Sequence, residues 1–311
     1  MEVRKKMRRI RSLDFELEPS AVCIGKFDGI HRGHRLLIQA AKKTKLPVVM
    51  FTFESTRQNG IYSQAEKEDL AEKAGVDIFV SVPVTEAFRH MAPVEFVEQV
   101  LVQRCHAKEI FIGTDFCFGH NRSGNARMLK EWESTYSFHV HILEKLSIGG
   151  SEVSSTRIRS QLEKGEMGEV ASLLGMPYFI QGEVVSGRHL GRTMEIPTAN
   201  LIPAPGKILP PKGVYAIMLT VDGKIRKGVG NLGVKPTVSG DNPMGLEVWI
   251  FDFHEDIYGK KIRAHLVSYL RPERKFDSMD QLKEQISRDT IRAKEILSQP
   301  EAESLLLSLP D

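Results

Sequence analysis

The sequence predicts a parallel α/β half followed by an all-β half that closes with one helix. In the first half, short apolar runs alternate with segments whose apolar residues recur every three or four positions. From about Tyr178 onward, apolar and polar residues alternate with a period of two, which is typical of strands with one buried face. The first pattern predicts a parallel sheet covered by helices, and the second predicts an antiparallel barrel or sandwich.

Length and charge set the first limits on function. The 311 residues are enough for about two domains, and we place the boundary between residues 1–177 and 178–311. With 41% hydrophobic and 27% charged residues, the composition excludes a disordered chain. Lysine and arginine total 43 against 40 acidic residues, so the net charge is only +3. No nucleic-acid partner is expected, because duplex-binding proteins usually carry a strongly basic face.

Cysteine usage and hydropathy favour a cytoplasmic protein. Cys23, Cys105 and Cys117 are widely spaced, which fits neither a disulfide framework nor a metal site and indicates a reducing compartment. No apolar run reaches the roughly 18 residues of a membrane span, so no membrane partner is expected. The basic run at residues 4–11 lacks a following apolar core and is interpreted as a solvated strand or a frayed end. Oligomeric state is not predicted.

The strands and helices of the first half follow from these patterns. Predicted strands are Ala21–Gly25, Pro47–Phe53, Asp77–Val82, Glu109–Gly113 and His139–Leu143. One intervening helix is predicted from Pro93, Phe96, Val97, Val100 and Leu101, which fall on one helical face with the proline in the first turn.

The second half of the sequence predicts strands followed by a final helix. In 246–251, Leu246, Val248 and Ile250 are expected on one face and Glu247, Trp249 and Phe251 on the other. Residues 262–270 alternate in the same way. A capping box of Ser278 and Gln281 starts a helix whose apolar stripe is Leu282, Ile286, Ala293 and Leu297.

The first candidate site is the segment Gly25-Lys26-Phe27-Asp28-Gly29-Ile30-His31-Arg32-Gly33-His34. It joins the first buried strand to a helix, where ligands of α/β sheets collect and where free backbone N–H groups attract phosphate. Its two histidines, three residues apart, can point at one phosphate. The pattern resembles the His-x-Gly-His signature of the nucleotidyltransferase superfamily.

Two further segments of the first half carry candidate residues. Ser154-Ser155-Thr156-Arg157-Ile158-Arg159 offers hydroxyls, N–H groups and guanidinium groups at a helix start, which suit a triphosphate. Gly113-Thr114-Asp115-Phe116-Cys117-Phe118-Gly119 follows a predicted strand. Its aromatic rings either face a flat ligand or belong to the core.

In the second half, a basic glycine-bearing loop, Gly187–Arg192, leads into Ile196-Pro197-Thr198-Ala199-Asn200-Leu201. Thr198 and Asn200 alternate on an extended segment, so both side-chain oxygens can face one Mg²⁺. Glu247 lies in an otherwise apolar strand and is either an exposed-face residue or a general base.

Taken together, these motifs and their order resemble the prokaryotic bifunctional riboflavin kinase/FAD synthetase family over nearly the whole chain. The supporting segments also include Gly228–Thr237, Asp256–Gly259 and Leu270–Ser278. The resemblance implies an FMN adenylyltransferase domain of nucleotidyltransferase (Rossmann-like) fold, followed by a riboflavin kinase domain built as a six-stranded antiparallel barrel. It implies ATP and Mg²⁺ as co-substrate and cofactor, and riboflavin, FMN and FAD as substrates and products.

The resemblance also assigns roles to residues of this sequence. The catalytic set is Glu247, His31, His34 and Arg157. ATP would be bound by Gly25, Phe27, Asp28, Gly33, Ser155, Thr156, Arg159, Gly187, Gly191, Arg192, Thr198 and Asn200. The flavin would be bound by Asp115, Phe116, Phe118, Arg122 and Arg271, and Mg²⁺ by Thr198 and Asn200.

Two departures from the family pattern keep an alternative open. The family usually continues Phe-x-Pro-x-Pro after the second strand, whereas this chain reads Phe53-Glu54-Ser55-Thr56-Arg57-Gln58. Glu195 stands where the family usually has glycine. The alternatives are a riboflavin kinase with a degenerate adenylyltransferase domain and a flavin-binding regulatory protein without turnover.

Overall fold

The structure, a computed structural model, describes residues 6–54, 59–185, 198–234 and 244–300. The described residues form two compact units, one that ends at Ser155 and one that begins at Thr156. Within the described ranges, no helix has the length and apolar character needed to cross a membrane.

The first unit is built on a six-stranded parallel sheet, as the sequence predicts. Its strands lie in the order β1, β4, β3, β2, β5, β8. Their bounds are Arg8–Ile10 (β1), Ser20–Ile24 (β2), Val48–Phe53 (β3), Ile78–Val82 (β4), Ala107–Gly113 (β5) and His139–Leu143 (β8). Short pairs are formed by Cys117–Phe118 (β6) with Gly124–Asn125 (β7) and by Ser147–Ile148 (β9) with Ser151–Glu152 (β10).

Helices connect these strands and cover the sheet. They are Arg32–Lys42 (α1), Gln64–Ala74 (α2), Glu86–His90 (α3), Pro93–Glu95 (α4), Ala126–Glu131 (α5) and Glu133–Tyr136 (α6). The helix predicted from Pro93 onward is confirmed, although it continues past α4 as a π-helix over Phe96–Val102. Its four apolar residues are buried against the sheet.

Part of the basic N-terminal run, Arg8–Ile10, forms an edge strand of this sheet. β1 pairs in parallel with β4, and Arg9 places its guanidinium group 3.0 Å from Glu68 and 2.7 Å from Glu72 of α2. Arg11 also contacts Glu68. Of the two sequence interpretations of this run, a solvated strand or a frayed end, the structure shows a strand at Arg8–Ile10, and Arg9 and Arg11 pair with acidic residues of α2.

The second unit is a closed six-stranded antiparallel barrel, again as predicted, with strand order β11, β12, β15, β14, β13, β16. The strands are Tyr178–Val185 (β11), Thr198–Leu201 (β12), Gly213–Val221 (β13), Lys224–Val234 (β14), Met244–Ile250 (β15) and Lys261–Arg271 (β16). The helices are Ser155–Lys164 (α7), Met167–Leu174 (α8) and Met279–Leu297 (α9).

The predicted alternation along β15 divides the barrel into an inner and an outer face. Leu246 and Val248 are fully buried, while Trp249 and Phe251 pack with residues of α9. Glu247 shares the outer face with Trp249 and Phe251, because alternate residues of a strand point the same way. The strand thereby carries an apolar patch under α9 and a carboxylate beside it.

The face that α9 turns to the barrel is more polar than its sequence pattern suggests. Ala293 and Leu297 are buried as predicted, but Leu282 and Ile286 are only partly buried, and Gln285 and Asp289 take the buried positions. The helix begins at Ser278, whose hydroxyl accepts from the N–H of Gln281. The Gln281 side chain accepts from the N–H of Asp277, so only half of the predicted capping box forms.

The buried polar face of α9 is explained by an ion pair. Asp289 accepts hydrogen bonds from Nε and Nη2 of Arg271, with the shortest at 2.8 Å. The two side chains are only 19% and 8% exposed. A bidentate pair at this depth is well shielded from solvent, so the removal of one partner leaves a poorly solvated charge.

We therefore expect Asp289→Ala to lower the free energy of unfolding of the barrel by about 2–4 kcal/mol, measured by urea denaturation. Glu284→Ala is the matched control, because Glu284 lies on the same helix and pairs with Arg288 while both side chains are about two-thirds exposed. It should cost less than about 1 kcal/mol. Equal losses in the two variants would contradict the role given to the Arg271–Asp289 pair.

Candidate active sites

The first candidate site lies where the direction of strand connection reverses. From β2 the chain proceeds to β3 and β4 on one side, whereas β5 and β8 lie on the other. Ligands of open α/β sheets bind at the carboxyl ends of the strands at such a point. The segment Gly25–His34 follows β2 and the segment Gly113–Gly119 begins at the last residue of β5, so the topology brings these two predicted segments to the same edge.

His31 and His34 form a stacked pair at the start of α1. His31 is the N-cap of the helix, and its Nδ1 accepts the N–H of His34 at 3.3 Å. The two rings are 3.6 Å apart with an angle of 17° between their planes. Phe27 packs edge-on against His34 at 5.1 Å. Because Nδ1 of His31 is an acceptor, its remaining proton lies on Nε2, where it can be donated to a ligand.

The loop that carries the pair is held in an unusual backbone conformation. Phe27 and Ile30 are fully buried and have φ angles of +47° and +41°, which side-chain-bearing residues rarely adopt. Such residues cost on the order of 1–3 kcal/mol each and cluster at functional sites. A Cβ on Gly33 would lie 3.2 Å from Nδ1 of His31, so glycine leaves room for the stacked rings.

Burial keeps both imidazoles neutral at pH 7. It lowers the pKa of His31 to about 4, although the nearby Asp28 opposes the shift. The pKa of His34 is lowered well below its usual value, first by burial and then by repulsion from the protonated form of His31 and from Lys67. Among the described residues, Nδ1 of His34 has no hydrogen-bond partner. The pair therefore offers neutral N–H groups, not imidazolium charge, to a ligand.

The sequence analysis did not identify Lys67, which lies behind this site. Its ammonium group donates to the carbonyl of Lys26 at 2.8 Å and to the hydroxyl of Thr52 at 3.2 Å, joining the ends of β2 and β3. The side chain is buried, and burial lowers its pKa to about 8. The sequence offered one signal that Lys67 is buried: it falls on the same face of α2 as the apolar residues Leu70 and Ala71.

The neutral histidines predict an acid-sensitive first unit. The unfolded chain binds a proton on His31 near pH 6.5, whereas the folded chain does so only near pH 4. Stability present above pH 6.5 is therefore lost as the pH falls towards 4, by on the order of 3 kcal/mol for this group. His31→Asn removes the titration but keeps a good N-cap residue.

We expect the stability of His31→Asn relative to wild type to rise as the pH is lowered through this window, measured by urea unfolding of the first unit. His139→Asn is the matched control, since His139 is exposed at the amino-terminal start of β8. A constant difference between His31→Asn and wild type from pH 6.5 to 4 would rule out the buried neutral histidine.

The predicted triphosphate segment begins α7. Ser155, the last residue of the first unit, donates its hydroxyl to the carbonyl of Asp28 at 2.9 Å. Asp28 in turn accepts the N–H of Ile61. Thr156 is exposed, and Arg159 is partly exposed one turn along. Arg157 pairs with Glu169 of α8 at 2.8 Å, and its side chain is 19% exposed.

The predicted flavin residues of the first unit differ in their surroundings. Phe116 is partly exposed and stacks on Phe118 at 5.6 Å, whereas Phe118 is buried and packs against Phe96. Asp115 is exposed and pairs with Lys145 at 3.2 Å. Arg122 is also exposed. In this arrangement Phe116 is the ring that is able to face a ligand, while Phe118 supports it from the core.

The second candidate site is a row of polar residues across three barrel strands. Asn200 of β12 pairs with Glu247 of β15, and Glu247 pairs with Asn231 of β14. Directly opposed residues of antiparallel strands point to the same face, with Cβ atoms about 5 Å apart. Thr198 lies two residues before Asn200 and opposes Trp249, so it joins the same outer face. Sequence analysis missed Asn231, although it lies within the quoted segment Gly228–Thr237.

The residues present fit the magnesium ion that was expected here. Asn200 is buried and turns its amide NH₂ towards the carbonyl of Thr198 at 3.4 Å, which leaves the amide oxygen on the other side. A side-chain amide oxygen and a threonine hydroxyl are hard ligands of the kind that Mg²⁺ uses beside phosphate oxygens.

Other predicted residues lie elsewhere or outside the described part of the chain. Arg271 holds Asp289 and also donates to the carbonyl of Pro272. Gly187, Gly191, Arg192 and Glu195 lie outside the described residues, as does most of the altered 53–58 segment.

Comparisons with known proteins match both halves of the chain. A family model described as FAD synthetase matches residues 14–157, and one described as riboflavin kinase matches residues 174–297. The bifunctional riboflavin kinase/FMN adenylyltransferase of Haemophilus influenzae is 35% identical over 302 residues, covering 93% of this chain and 97% of the relative. The Escherichia coli protein of the same description is 36% identical, covering 89% and 93%.

The chain belongs to the bifunctional riboflavin kinase/FMN adenylyltransferase family. It is accordingly an enzyme with both transferase activities, which uses ATP and forms FMN and FAD. A crystal structure from Streptococcus pneumoniae, described as a macrolide-efflux protein, has the same overall fold with a TM-score of 0.80 and 30% identity. It covers 93% of this chain and 98% of its own.

Proposed function

We propose that residues 1–177 transfer AMP from ATP to FMN, and that residues 178–311 transfer the γ-phosphoryl group of ATP to riboflavin. The matched models support this division, since one covers most of each half. The observation that carries it is the pair of sites itself: a neutral histidine pair at the switch point of the parallel sheet, and a carboxylate between two amides on the barrel. Because the family models describe enzymes, we do not carry the efflux description over to this chain.

For adenylyl transfer, we assign His31 and His34 to the α-phosphate of ATP. An oxygen of the FMN phosphate attacks this phosphorus, the bond to the bridging oxygen breaks, and pyrophosphate leaves. Charge builds on the α-phosphate oxygens, and N–H donors held in place beforehand stabilise it without reorganisation. Gly25, Phe27, Asp28 and Gly33 shape the loop, while Ser155, Thr156, Arg157 and Arg159 bind the triphosphate. Asp115, Phe116, Phe118 and Arg122 bind the flavin.

For phosphoryl transfer, we assign Glu247 as the general base. The 5′-hydroxyl of the ribityl chain attacks the γ-phosphorus, its proton passes to Glu247, and the bond to the β,γ-bridging oxygen breaks to release ADP. The exposed position of Glu247 on the outer face supports this role, since a substrate can reach it. Arg271, Gly187, Gly191 and Arg192 complete the proposed ATP and flavin contacts.

We further infer that Mg²⁺ serves the kinase half, held by Thr198 and Asn200. When bound, it neutralises charge on the phosphates of ATP. We also infer a cytoplasmic enzyme: Cys23, Cys105 and Cys117 are free thiols, and structural thiols stay reduced in that compartment.

Chromatography of flavins tests the proposal. The purified protein is incubated with ATP and Mg²⁺ and either riboflavin or FMN. We expect FAD in both reactions. FMN from riboflavin with no FAD in either reaction would contradict the adenylyl-transfer assignment and identify a kinase with a degenerate first half. In that case, the altered 53–58 segment would be the first one to change back to the family pattern. Flavin bound without ATP consumption would contradict both assignments.

A further inference from the structure

The polar row on the barrel has a third member to which the proposed reaction gives no role. Asn231 lies directly opposite Glu247 on β14, on the side away from Asn200. We call Asn200, Glu247 and Asn231 the polar stripe. In the stripe the carboxylate stands between two carboxamides, each on a neighbouring strand, at the spacing of paired residues in an antiparallel sheet.

Glu273 holds the amide of Asn231. Nδ2 of Asn231 donates to Oε1 of Glu273 at 2.9 Å, and Glu273 follows the end of β16. Gly233 lies two residues from Asn231 on the same face, and a methyl group there would overlap the Glu273 carboxylate. Glycine at this position is therefore what lets the carboxylate reach Asn231.

Because Glu273 can only accept, its contact fixes which end of the Asn231 side chain is the NH₂ group. The amide oxygen and the second N–H then take defined directions. An amide has four hydrogen-bonding positions, and this contact uses one. A vicinal diol can both donate and accept hydrogen bonds, so it can bond to the amide oxygen and the second N–H of Asn231 together.

The order of residues in the polar stripe also places the phosphoryl donor, ATP, and the phosphoryl acceptor, the alcohol, on different sides of Glu247. In phosphoryl transfer, the attacking and leaving oxygens lie roughly in line on opposite sides of the phosphorus. The proposed ATP and Mg²⁺ ligands, Thr198 and Asn200, are on the β12 side of Glu247. The attacking alcohol must then approach Glu247 from the β14 side, which is where Asn231 lies.

We propose that Asn231 binds a secondary hydroxyl of the ribityl chain and so directs the 5′-hydroxyl to Glu247, and that Glu273 is a positioning residue for the Asn231 amide. This inference rests on the proposed function of the barrel. It makes Asn231 a determinant of specificity for a polyol acceptor, since a site built to bond hydroxyls discriminates against substrates that lack them.

The test pairs enzyme variants with substrate analogues. Full-length wild type and Asn231→Leu are assayed for kcat/KM with riboflavin and with its 2′-, 3′- and 4′-deoxyribityl analogues, all of which retain the 5′-hydroxyl. We expect the variant to lose about tenfold or more with riboflavin. With one of the analogues the loss should shrink to about twofold or less, because the bond is already missing. An equal loss with every flavin, or a loss below about twofold with riboflavin, would overturn the proposal.

Glu273 is tested separately, because it is exposed and its replacement leaves the barrel core untouched. Glu273→Ala should raise KM for riboflavin several-fold with a smaller change in kcat, and Glu273→Gln should restore it, since a glutamine oxygen can accept the same hydrogen bond. Indistinguishable KM values for all three proteins would overturn the positioning role.

Two controls distinguish a failure of the proposed role of Asn231 from a failure of the proposed kinase function. Thr220→Val changes an exposed polar residue of β13 in the same barrel and should leave kcat/KM unchanged. FAD formation from supplied FMN reports on the other half of each variant. If wild type itself made no FMN, the proposed kinase function would fail. If wild type made FMN and Asn231→Leu matched it, only the inference about Asn231 would fail.

Discussion

Replacing His31 with asparagine should abolish FAD formation from supplied FMN while FMN formation from riboflavin continues at the wild-type rate. Asparagine is among the best N-cap residues, so its oxygen can replace Nδ1 of His31 in accepting the N–H of His34. What the variant loses is the Nε2–H donor to the α-phosphate. The removal of one such donor costs about 10²–10³-fold in kcat.

The controls for this prediction are contained in the same chain. His139→Asn makes the same chemical change at the amino-terminal end of β8, whereas His31 lies beyond the carboxyl end of β2. This control should leave both activities intact. Flavins are separated by chromatography after incubation with ATP and Mg²⁺. FAD formation by His31→Asn at more than about a tenth of the wild-type rate would remove His31 from the proposed mechanism.

Glu247→Gln should have the reverse effect. Glutamine keeps the shape of the side chain and its place between Asn200 and Asn231 but cannot take a proton. General-base catalysis contributes about 10²–10⁴-fold, so FMN formation from riboflavin should fall by that factor. FAD formation from supplied FMN should not change, because the proposed adenylyl transfer uses the other half of the chain.

Glu284→Gln is the matched control for this variant, since Glu284 is an exposed glutamate on α9. FMN is measured in the first minutes of reaction, before it is consumed. If Glu247→Gln formed FMN at a rate close to that of the control, the base would have to be another group, and the polar stripe would lose its central role.

The strands were predictable because burial on both faces leaves continuous apolar runs. β8 has the predicted bounds, and β2, β3, β4 and β5 differ from the prediction by only one or two residues at an end. The histidine pair was predictable for a different reason: glycine, two histidines and a following helix are adjacent in sequence. Features formed by neighbouring residues can be read directly from the chain.

Lys67, Asn231 and the polar face of α9 were not predictable in this way. Lys67 gains its role from the carbonyl of Lys26, which lies 41 residues away in sequence. Asn231 gains its role from the register with Glu247 and from Glu273, 42 residues further on. Asp289 looks like a solvated helix residue until β16 brings Arg271 to it. Each depends on a tertiary contact that no local pattern encodes.

ATP labelled at a single phosphate shows whether one chain performs both transfers in sequence. The protein is incubated with riboflavin, Mg²⁺ and ATP that carries ³²P at either the α or the γ position, and the flavins are then separated. We expect FMN to carry only the γ label, and FAD to carry the γ label in its FMN phosphate and the α label in its AMP phosphate. Labelled FMN with no labelled FAD from either ATP would contradict this expectation.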